Sequence, residues 1–262
     1  MTNLGEIVAY TRTLVKRRKV ELPLSFLQDE IERKPHALDL AAALSGNPVA
    51  LIAEVKKASP SRGLIRSDFD HVAIAEAYAM AGASAISVLT EPRFFLGSLD
   101  HLAEVAALQI AHRVPLLRKD FIIDPYQVYE ARAHGADAVL LIAAILDRER
   151  LDSLLSLSHD LGMTCLVEVH NEREIDVALL SEARVIGINN RDLHSFKVDL
   201  STFERLRPRV PAEKLVVAES GINCPADIRR LAHAGADAVL VGEALMTADD
   251  ISAMTREFAC AA

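Results

Sequence analysis

The 262-residue sequence predicts an α/β fold, a (β/α)8 TIM barrel, with an N-terminal helical extension. It reads as one domain over residues 1–262, in which 1–48 form the extension and 49–262 the barrel. Three observations predict it. Beyond the extension, short β-rich apolar runs alternate with amphipathic helical stretches. The runs are mostly apolar on both faces, as strands packed inside and covered by helices outside should be. A repeat marks the junctions: Ala81-Gly-Ala-Ser-Ala-Ile, His134-Gly-Ala-Asp-Ala-Val and Ala234-Gly-Ala-Asp-Ala-Val each close a helix and open a strand. Its glycine suits the left-handed residue after a helix, and its small residues suit a crowded barrel floor.

In order, the candidate strands are Leu51–Val55, Ala85–Leu89, Leu116–Lys119, Ala138–Ile142, Cys165–Val169, Val185–Ile188, Leu215–Ala218 and Ala238–Val241. Their starts lie roughly 20 to 35 residues apart, the spacing of βαβ units in a parallel sheet. Such a series favours a closed barrel over an open doubly wound sheet. No GxGxxG or GxxxxGKS/T string supports the nucleotide-binding versions of the latter. Ahead of the strands, Asn3 to Arg18 has helical periodicity, a second helix is predicted over Phe26–Ile31 and a third over Ala37–Leu44. These helices are too few to build a core of their own and must pack on the barrel. The run Lys16-Arg-Arg-Lys19 reads as a solvated helix end, where the dipole favours cations.

Composition narrows the function. With 51% hydrophobic and 25% charged residues and a net charge of −8, the chain offers no general nucleic-acid surface. The longest uncharged apolar run, Ala138–Leu146, is too short to span a bilayer, so no membrane partner is expected. Cys165, Cys224 and Cys260 are odd in number and widely spaced, which argues for reduced thiols and against a structural zinc. The N-terminus lacks the basic and apolar segments of a signal peptide. A cytoplasmic protein, a monomer or weak homo-oligomer, is expected.

The strand ends carry the chemistry, because active sites of this fold lie there. In Leu51-Ile-Ala-Glu-Val-Lys-Lys-Ala-Ser-Pro-Ser-Arg-Gly63, Glu54 and Lys56 stand two residues apart and so face the same way. The turn that follows is rich in Ser, Pro and Gly, with N–H groups suited to an anion. Other strands end in Arg118-Lys119-Asp120, carry Glu168, or end in Asn189-Asn-Arg191, Glu219-Ser-Gly221 and Gly242-Glu243. Lysines and carboxylates gathered in one low-dielectric mouth perturb each other's pKa values, as general acid–base catalysis requires. Lys119 suits a general acid, or a Schiff-base nucleophile if its pKa were lowered. Glycines after the last two strands mark a place where this fold often binds phosphate on backbone N–H groups. There Glu243 would offer its N–H and point its carboxylate away. Glu168, His170 and Glu172 alternate along one segment but match no metal-ligand spacing, so no metal is expected.

These strings resemble the indole-3-glycerol phosphate synthase family. The resemblance rests on Glu54-Val-Lys-Lys-Ala-Ser-Pro-Ser-Arg-Gly63, Ser87-Val-Leu-Thr-Glu91 with Phe94-Phe-Leu-Gly-Ser98, and Leu117-Arg-Lys-Asp-Phe-Ile-Ile-Asp-Pro-Tyr126. Leu166-Val-Glu-Val-His170, Gly187-Ile-Asn-Asn-Arg-Asp-Leu193, Ala218-Glu-Ser-Gly-Ile222 and Val241-Gly-Glu-Ala-Leu-Met246 complete it, in order. It implies a carboxy-lyase of tryptophan biosynthesis, using no cofactor or metal. The enzyme would convert a phosphorylated small molecule, 1-(2-carboxyphenylamino)-1-deoxyribulose 5-phosphate, to indole-3-glycerol phosphate, CO2 and water.

By that resemblance the catalytic set is Glu54, Lys56, Lys119, Glu168, Asn189 and Ser220. Lys56, Ser59, Gly221, Gly242 and the N–H of Glu243 would hold the phosphate. Pro60, Phe95, Phe121, Leu140 and Leu193 would wall the aromatic ring, with Arg191 a partner for its carboxylate. Leu96 and His71 depart from the family's usual residues, and both lie outside the catalytic set. The chain stops after one barrel, so the second enzyme fused in some relatives is expected to be absent. Three rivals remain at this point: a related phosphoribosyl anthranilate isomerase, a Schiff-base aldolase built on Lys119, and a barrel that binds a phosphorylated metabolite without catalysis. The isomerase's acid–base pair positions carry Glu and Lys here, which disfavours it.

Overall fold

The computed structural model describes residues 4–46, 48–108, 114–193, 195 and 197–261. Parallel strands β1 (Ala50–Val55), β2 (Ala85–Leu89), β3 (Leu116–Lys119), β4 (Ala138–Ile142), β5 (Thr164–Val169), β6 (Val185–Asn189), β7 (Leu215–Glu219) and β8 (Ala238–Val241) close into a barrel. Each pairs with the next in sequence, and β8 returns to β1. The predicted strands are all present, and the differences are single residues at Ala50, Thr164, Asn189 and Glu219. The last two matter, because they place functional side chains on the strands themselves.

Three helices precede the barrel: α1 (Leu4–Glu21), α2 (Leu24–Glu32) and α3 (Leu40–Leu44). The outer layer is α4 (His71–Met80), α5 (Leu99–Ala106), α6 (Pro125–Ala133), α7 (Arg148–Asp160), α8 (Glu172–Leu179), α9 (Ser201–Leu206) and α10 (Pro225–His233). Beyond β8 come the short α11 (Glu243–Met246) and then α12 (Ile251–Ala259).

Strand alternation sorts the side chains into two cores. Ile52, Ala85, Leu117, Leu140, Leu166, Val185, Val217 and Leu240 fill the barrel interior. Their sequence neighbours, such as Ala53, Ile86, Val139, Val167, Ile186 and Val216, face the helices. The barrel floor is closed by Leu40, Ala41 and Leu44 of α3. That helix begins later than the predicted Ala37. The Asp39 carboxylate accepts the N–H groups of Ala41 and Ala42, so the chain enters the helix only after it. Asn3 lies outside the described residues, and the remainder of the predicted first helix is α1.

The junction repeat does more than supply small residues. Gly82, Gly135 and Gly235 all take left-handed φ, of 97°, 88° and 92°. The aspartates two residues after the last two glycines reach back to the strand before: Asp137 accepts the N–H of Leu116, and Asp237 that of Val216. The last two repeats thus each end one helix and fasten the foot of a strand.

Adjacent residues of β3 have opposite fates. Lys119 points into the barrel, whereas Arg118 points outward and is fully buried. Arg118 pairs with Asp120 at 2.9 Å and with Glu130 at 3.3 Å, and donates to the carbonyl oxygen of Gln127. Glu130 also meets Arg18 of α1 at 3.4 Å, so one buried carboxylate links barrel and extension. Removing a single member of such a cluster leaves uncompensated buried charge. Arg118→Met is therefore expected to cost about 3–5 kcal/mol of stability, measured by urea unfolding.

Candidate active site

A cavity of about 520 Å³ opens at the C-terminal ends of the strands. Its polar residues follow from the interior alternation. Glu54, Lys119, Glu168 and Glu219 each lie two residues beyond an interior apolar residue, at Ile52, Leu117, Leu166 and Val217. The pattern that fills the floor with hydrocarbon therefore aims charge into the mouth.

At the bottom, Lys119 Nζ lies 3.3 Å from Glu168 Oε2 and 3.5 Å from Glu219 Oε2. Beside them, Lys56 Nζ lies 2.7 Å from Glu54 Oε1. Burial alone would strip Lys119 of its proton, but Glu168, Glu219 and Glu54 outweigh it and hold the ammonium. Burial likewise opposes the charge on Glu168. Lys119 and His170 overcome that and keep it a carboxylate well below its ordinary pKa. Glu219 goes the other way, since burial and the Glu168 anion push its carboxyl up against the pull of Lys119. The surroundings thus favour an ammonium at Lys119 and the anion at Glu168, and make Glu219 the readier of the two carboxyls to hold a proton. Such a lysine is an acid and not a free amine, which removes the support for a Schiff-base nucleophile.

Glu219 owes its place to Gly187 on β6. A β-carbon at Gly187 would collide with Glu219 Oε1 and press on Leu166 Cδ1. The absent side chain is the space that the acid occupies.

One wall of the cavity is apolar, with Pro60, Phe95, Phe121, Leu140 and Leu193, and Leu4 and Ile7 from α1. The Phe95 and Phe121 rings stand 6.0 Å apart. Phe95 is held by buried Glu91, whose carboxylate accepts the N–H groups of Arg93, Phe94 and Phe95. Leu96, one of the departures noted above, sits in this loop at φ 52°. His71, the other, opens α4 beside the N-cap Asp70, stacks against His101 and pairs with Glu104.

Backbone turns line the cavity as well. Ser220 and Gly221 follow β7 with φ of 66° and 83°, and positive φ at a serine is conformational strain kept at a site. Asn190 fixes that turn by donating to the carbonyl oxygens of Glu219 and Ser220. Gly242 and Glu243 follow β8, and a β-carbon at Gly242 would run into Glu54 Oε1 and crowd Lys56 Nζ. Ser59 belongs to a small hairpin after β1, where Ala58–Ser59 pairs with Gly63–Leu64. Arg62 of that hairpin reaches Glu243 at 2.5 Å, so the Glu243 carboxylate is engaged by a cation.

Every residue singled out from the sequence lines this one cavity: Glu54, Lys56, Ser59, Pro60, Phe95, Lys119, Phe121, Leu140, Glu168, Asn189, Arg191, Leu193, Ser220, Gly221, Gly242 and Glu243. The basic run on α1 does not. Arg17 pairs with Glu21, Arg18 with Glu130 and Lys19 with Asp124. Glu172 turns away to Arg205, and the described residues hold no group of three or more His, Cys, Asp or Glu fit for a metal ion.

A family model described as "Indole-3-glycerol phosphate synthase" matches residues 4–258. The chain belongs to the indole-3-glycerol phosphate synthase family. A relative of that name from Dehalococcoides mccartyi (strain CBDB1) is 61% identical over 255 residues, covering 97% of this chain and 98% of its own length. Another from Roseiflexus sp. (strain RS-1) is 53% identical over 262 residues, covering 98% and 97%. Among solved structures, a thiamine phosphate pyrophosphorylase from Pyrococcus furiosus aligns with a TM-score of 0.61 at 19% identity, over 81% of this chain and 94% of that one. An N-acetylmannosamine-6-phosphate 2-epimerase from Clostridium perfringens aligns at 0.60 and 18%, over 80% and 92%. At that distance the two share the barrel and nothing finer.

For this member of the indole-3-glycerol phosphate synthase family, sequence reasoning placed Glu219 at a strand end but gave it no role, and gave none to Asn190 or Glu91. Glu219 had a visible signal, its place in an interior-facing alternation with Leu215 and Val217. Asn190 and Glu91 act through the backbone of their neighbours and carried none.

Proposed function

We propose that this chain closes the indole ring of 1-(2-carboxyphenylamino)-1-deoxyribulose 5-phosphate, giving indole-3-glycerol phosphate, CO2 and water. The reading follows from membership of the family. The observation that carries its mechanism is Lys119 held between Glu168 and Glu219, in a cavity also lined by apolar side chains and glycine turns.

The aromatic ring lies against Phe95, Phe121, Pro60, Leu140 and Leu193, and Arg191 draws its carboxylate. The phosphate lies on the N–H groups of Gly221, Gly242 and Glu243, with Ser59 and Lys56 beside it. So placed, the substrate puts its carbonyl near Lys119. As the ring carbon bearing the carboxylate attacks, a carbon–carbon bond forms and Lys119 delivers its proton to the carbonyl oxygen. Loss of CO2 leaves its bonding electrons in the ring and restores aromaticity. Dehydration then needs an acid for the departing hydroxyl and a base for a ring proton. The Glu168–Glu219 pair, one carboxylate and one acid, supplies both. Glu54 sets Lys56, and Asn189 and Ser220 orient the substrate. The protein is proposed to work in the cytoplasm, where this biosynthetic family fits, as a monomer or weak homo-oligomer.

The test is the rise of indole fluorescence from the carboxyphenylamino substrate. Wild-type turnover is expected, with kcat declining at alkaline pH as the carboxyl pair loses its one proton. Binding without turnover would leave a metabolite-binding barrel as the better reading. A borohydride-trapped adduct on Lys119 would favour an aldolase.

A further inference from the structure

His170 follows β5 and was set aside above as no metal ligand, yet its surroundings are specific. Its ring Nδ1 lies 2.9 Å from Glu174 Oε2, the same oxygen that accepts the His170 backbone N–H at 2.8 Å. The other oxygen of Glu174 accepts from Asn171 Nδ2 at 2.6 Å, and Asn171 caps α8. Glu174 is thus fixed at both oxygens. On the far side of the ring, Nε2 lies 3.2 Å from Glu168 Oε1, close enough for charges to interact but off the line of a hydrogen bond. The His170 side chain is only 8% exposed.

A carboxylate at each ring nitrogen decides the form of the imidazole. In either neutral tautomer one nitrogen would present its lone pair to an anion, so only the doubly protonated cation satisfies both sides. Burial opposes the charge, but Glu168 and Glu174 raise the pKa to about 10. These are the charged groups facing the ring, from β5 and α8. Lys119 of β3 and Glu219 of β7 lie across Glu168 from it.

We propose that the His170–Glu174 pair is a positioning device for the reaction, holding Oε1 of Glu168 from behind so that Oε2 alone serves Lys119 and the substrate. Glu168 then sits between two cations, one replenished by chemistry and one permanent. The Glu168–Glu219 asymmetry follows, because only Glu168 has a second cation and the shared proton goes to Glu219. This role rests on the reaction proposed above.

The experiment compares wild type, His170→Asn and Glu174→Gln by kcat, KM, pH profile and imidazole NMR. His170→Asn is expected to lower kcat about ten- to hundredfold, with KM within about threefold of wild type. Its kcat/KM profile should move its acid limb to higher pH, since Glu168 now takes a proton more readily. Glu174→Gln should add an alkaline limb below that of the carboxyl pair, as His170 gives up its proton sooner and ceases to hold Glu168. Profiles that superpose on wild type overturn the proposal, whether or not kcat falls, and leave His170 a packing residue. Should His170→Asn fail to fold, Glu174→Gln decides alone. The NMR readout does not depend on turnover: the resonance absent from His170→Asn should report a doubly protonated ring across the neutral range. A neutral ring there overturns the device even in an active enzyme, whereas a charged ring in a protein without turnover overturns only the reaction.

Discussion

Lys119→Ala is expected to lower kcat by about three orders of magnitude, the middle of the range for loss of a positioned general acid. Three features make the effect large. Among the described residues, the ammonium is the one cation paired with both Glu168 and Glu219. Lys56, the other lysine of the cavity, is engaged with Glu54 at 2.7 Å and stands beside the backbone of Gly242. The site is also buried, so water does not readily substitute for the missing proton donor. Stability should change by no more than about 1 kcal/mol, because the two carboxyls left behind can take up a proton and His170 still faces Glu168. Single-turnover kinetics separate the chemical step from substrate binding, which should weaken little. A variant that unfolds instead would make Lys119 a structural ion-pair member and remove it from the mechanism.

Gly187→Ala is the second large effect, from a residue that never meets the substrate. Its new methyl group would occupy the position of Glu219 Oε1. Glu219 has no room to retreat, being buried at the end of β7 and paired in register with Asn189. The acid must move up toward Lys119 and Glu168, and the proton arrangement of the trio is lost. An approximately hundredfold fall in kcat is expected, within the range for loss of a positioned acid or base. Overpacking should cost about 1–3 kcal/mol in stability. A double-mutant cycle isolates the cause. With Glu219→Ala already in place, Gly187→Ala should cost little further in either quantity. Additive losses would mean that the methyl group strains the strand itself and that Glu219 is a bystander.

The barrel and most of the cavity were legible in the sequence because both depend on period-two alternation and on position along the chain. A strand that hides Leu117 inside must also send Lys119 inward, and no long-range knowledge is needed to see it. Depth is another matter. Glu219 was visible as a polar strand end, but what gives it a function is the missing side chain at Gly187 on the neighbouring strand. Sequence separates the two by thirty-two positions. Arg118-Lys119-Asp120 shows the converse. Three charged residues in a row read as one polar cluster, yet Arg118 and the Asp120 carboxylate belong to a buried network that ties β3 to α6. His170 follows the predicted strand Cys165–Val169, and at that place the sequence does not tell which partners its ring nitrogens meet. The start of α3 was misplaced because Asp39 competes for the N–H groups that the apolar pattern assigns to the helix interior.

The opposed neighbours Arg118 and Lys119 have an evolutionary consequence. Both are cations, so a one-residue slip of β3 would keep the charge of the cavity and most of its shape. It would nevertheless present a guanidinium, which does not give up its proton at any physiological pH, where the reaction needs an exchangeable one. The slip would also turn Lys119 away from Glu168 and Glu219, and set the apolar Leu117 in the buried berth beside Glu130 that Arg118 fills. Insertions and deletions should accordingly accumulate in the loops of this lineage and be purged from β3, even where the altered strand would still fold. Selection for chemistry thus reads the strand's length as strictly as its letters.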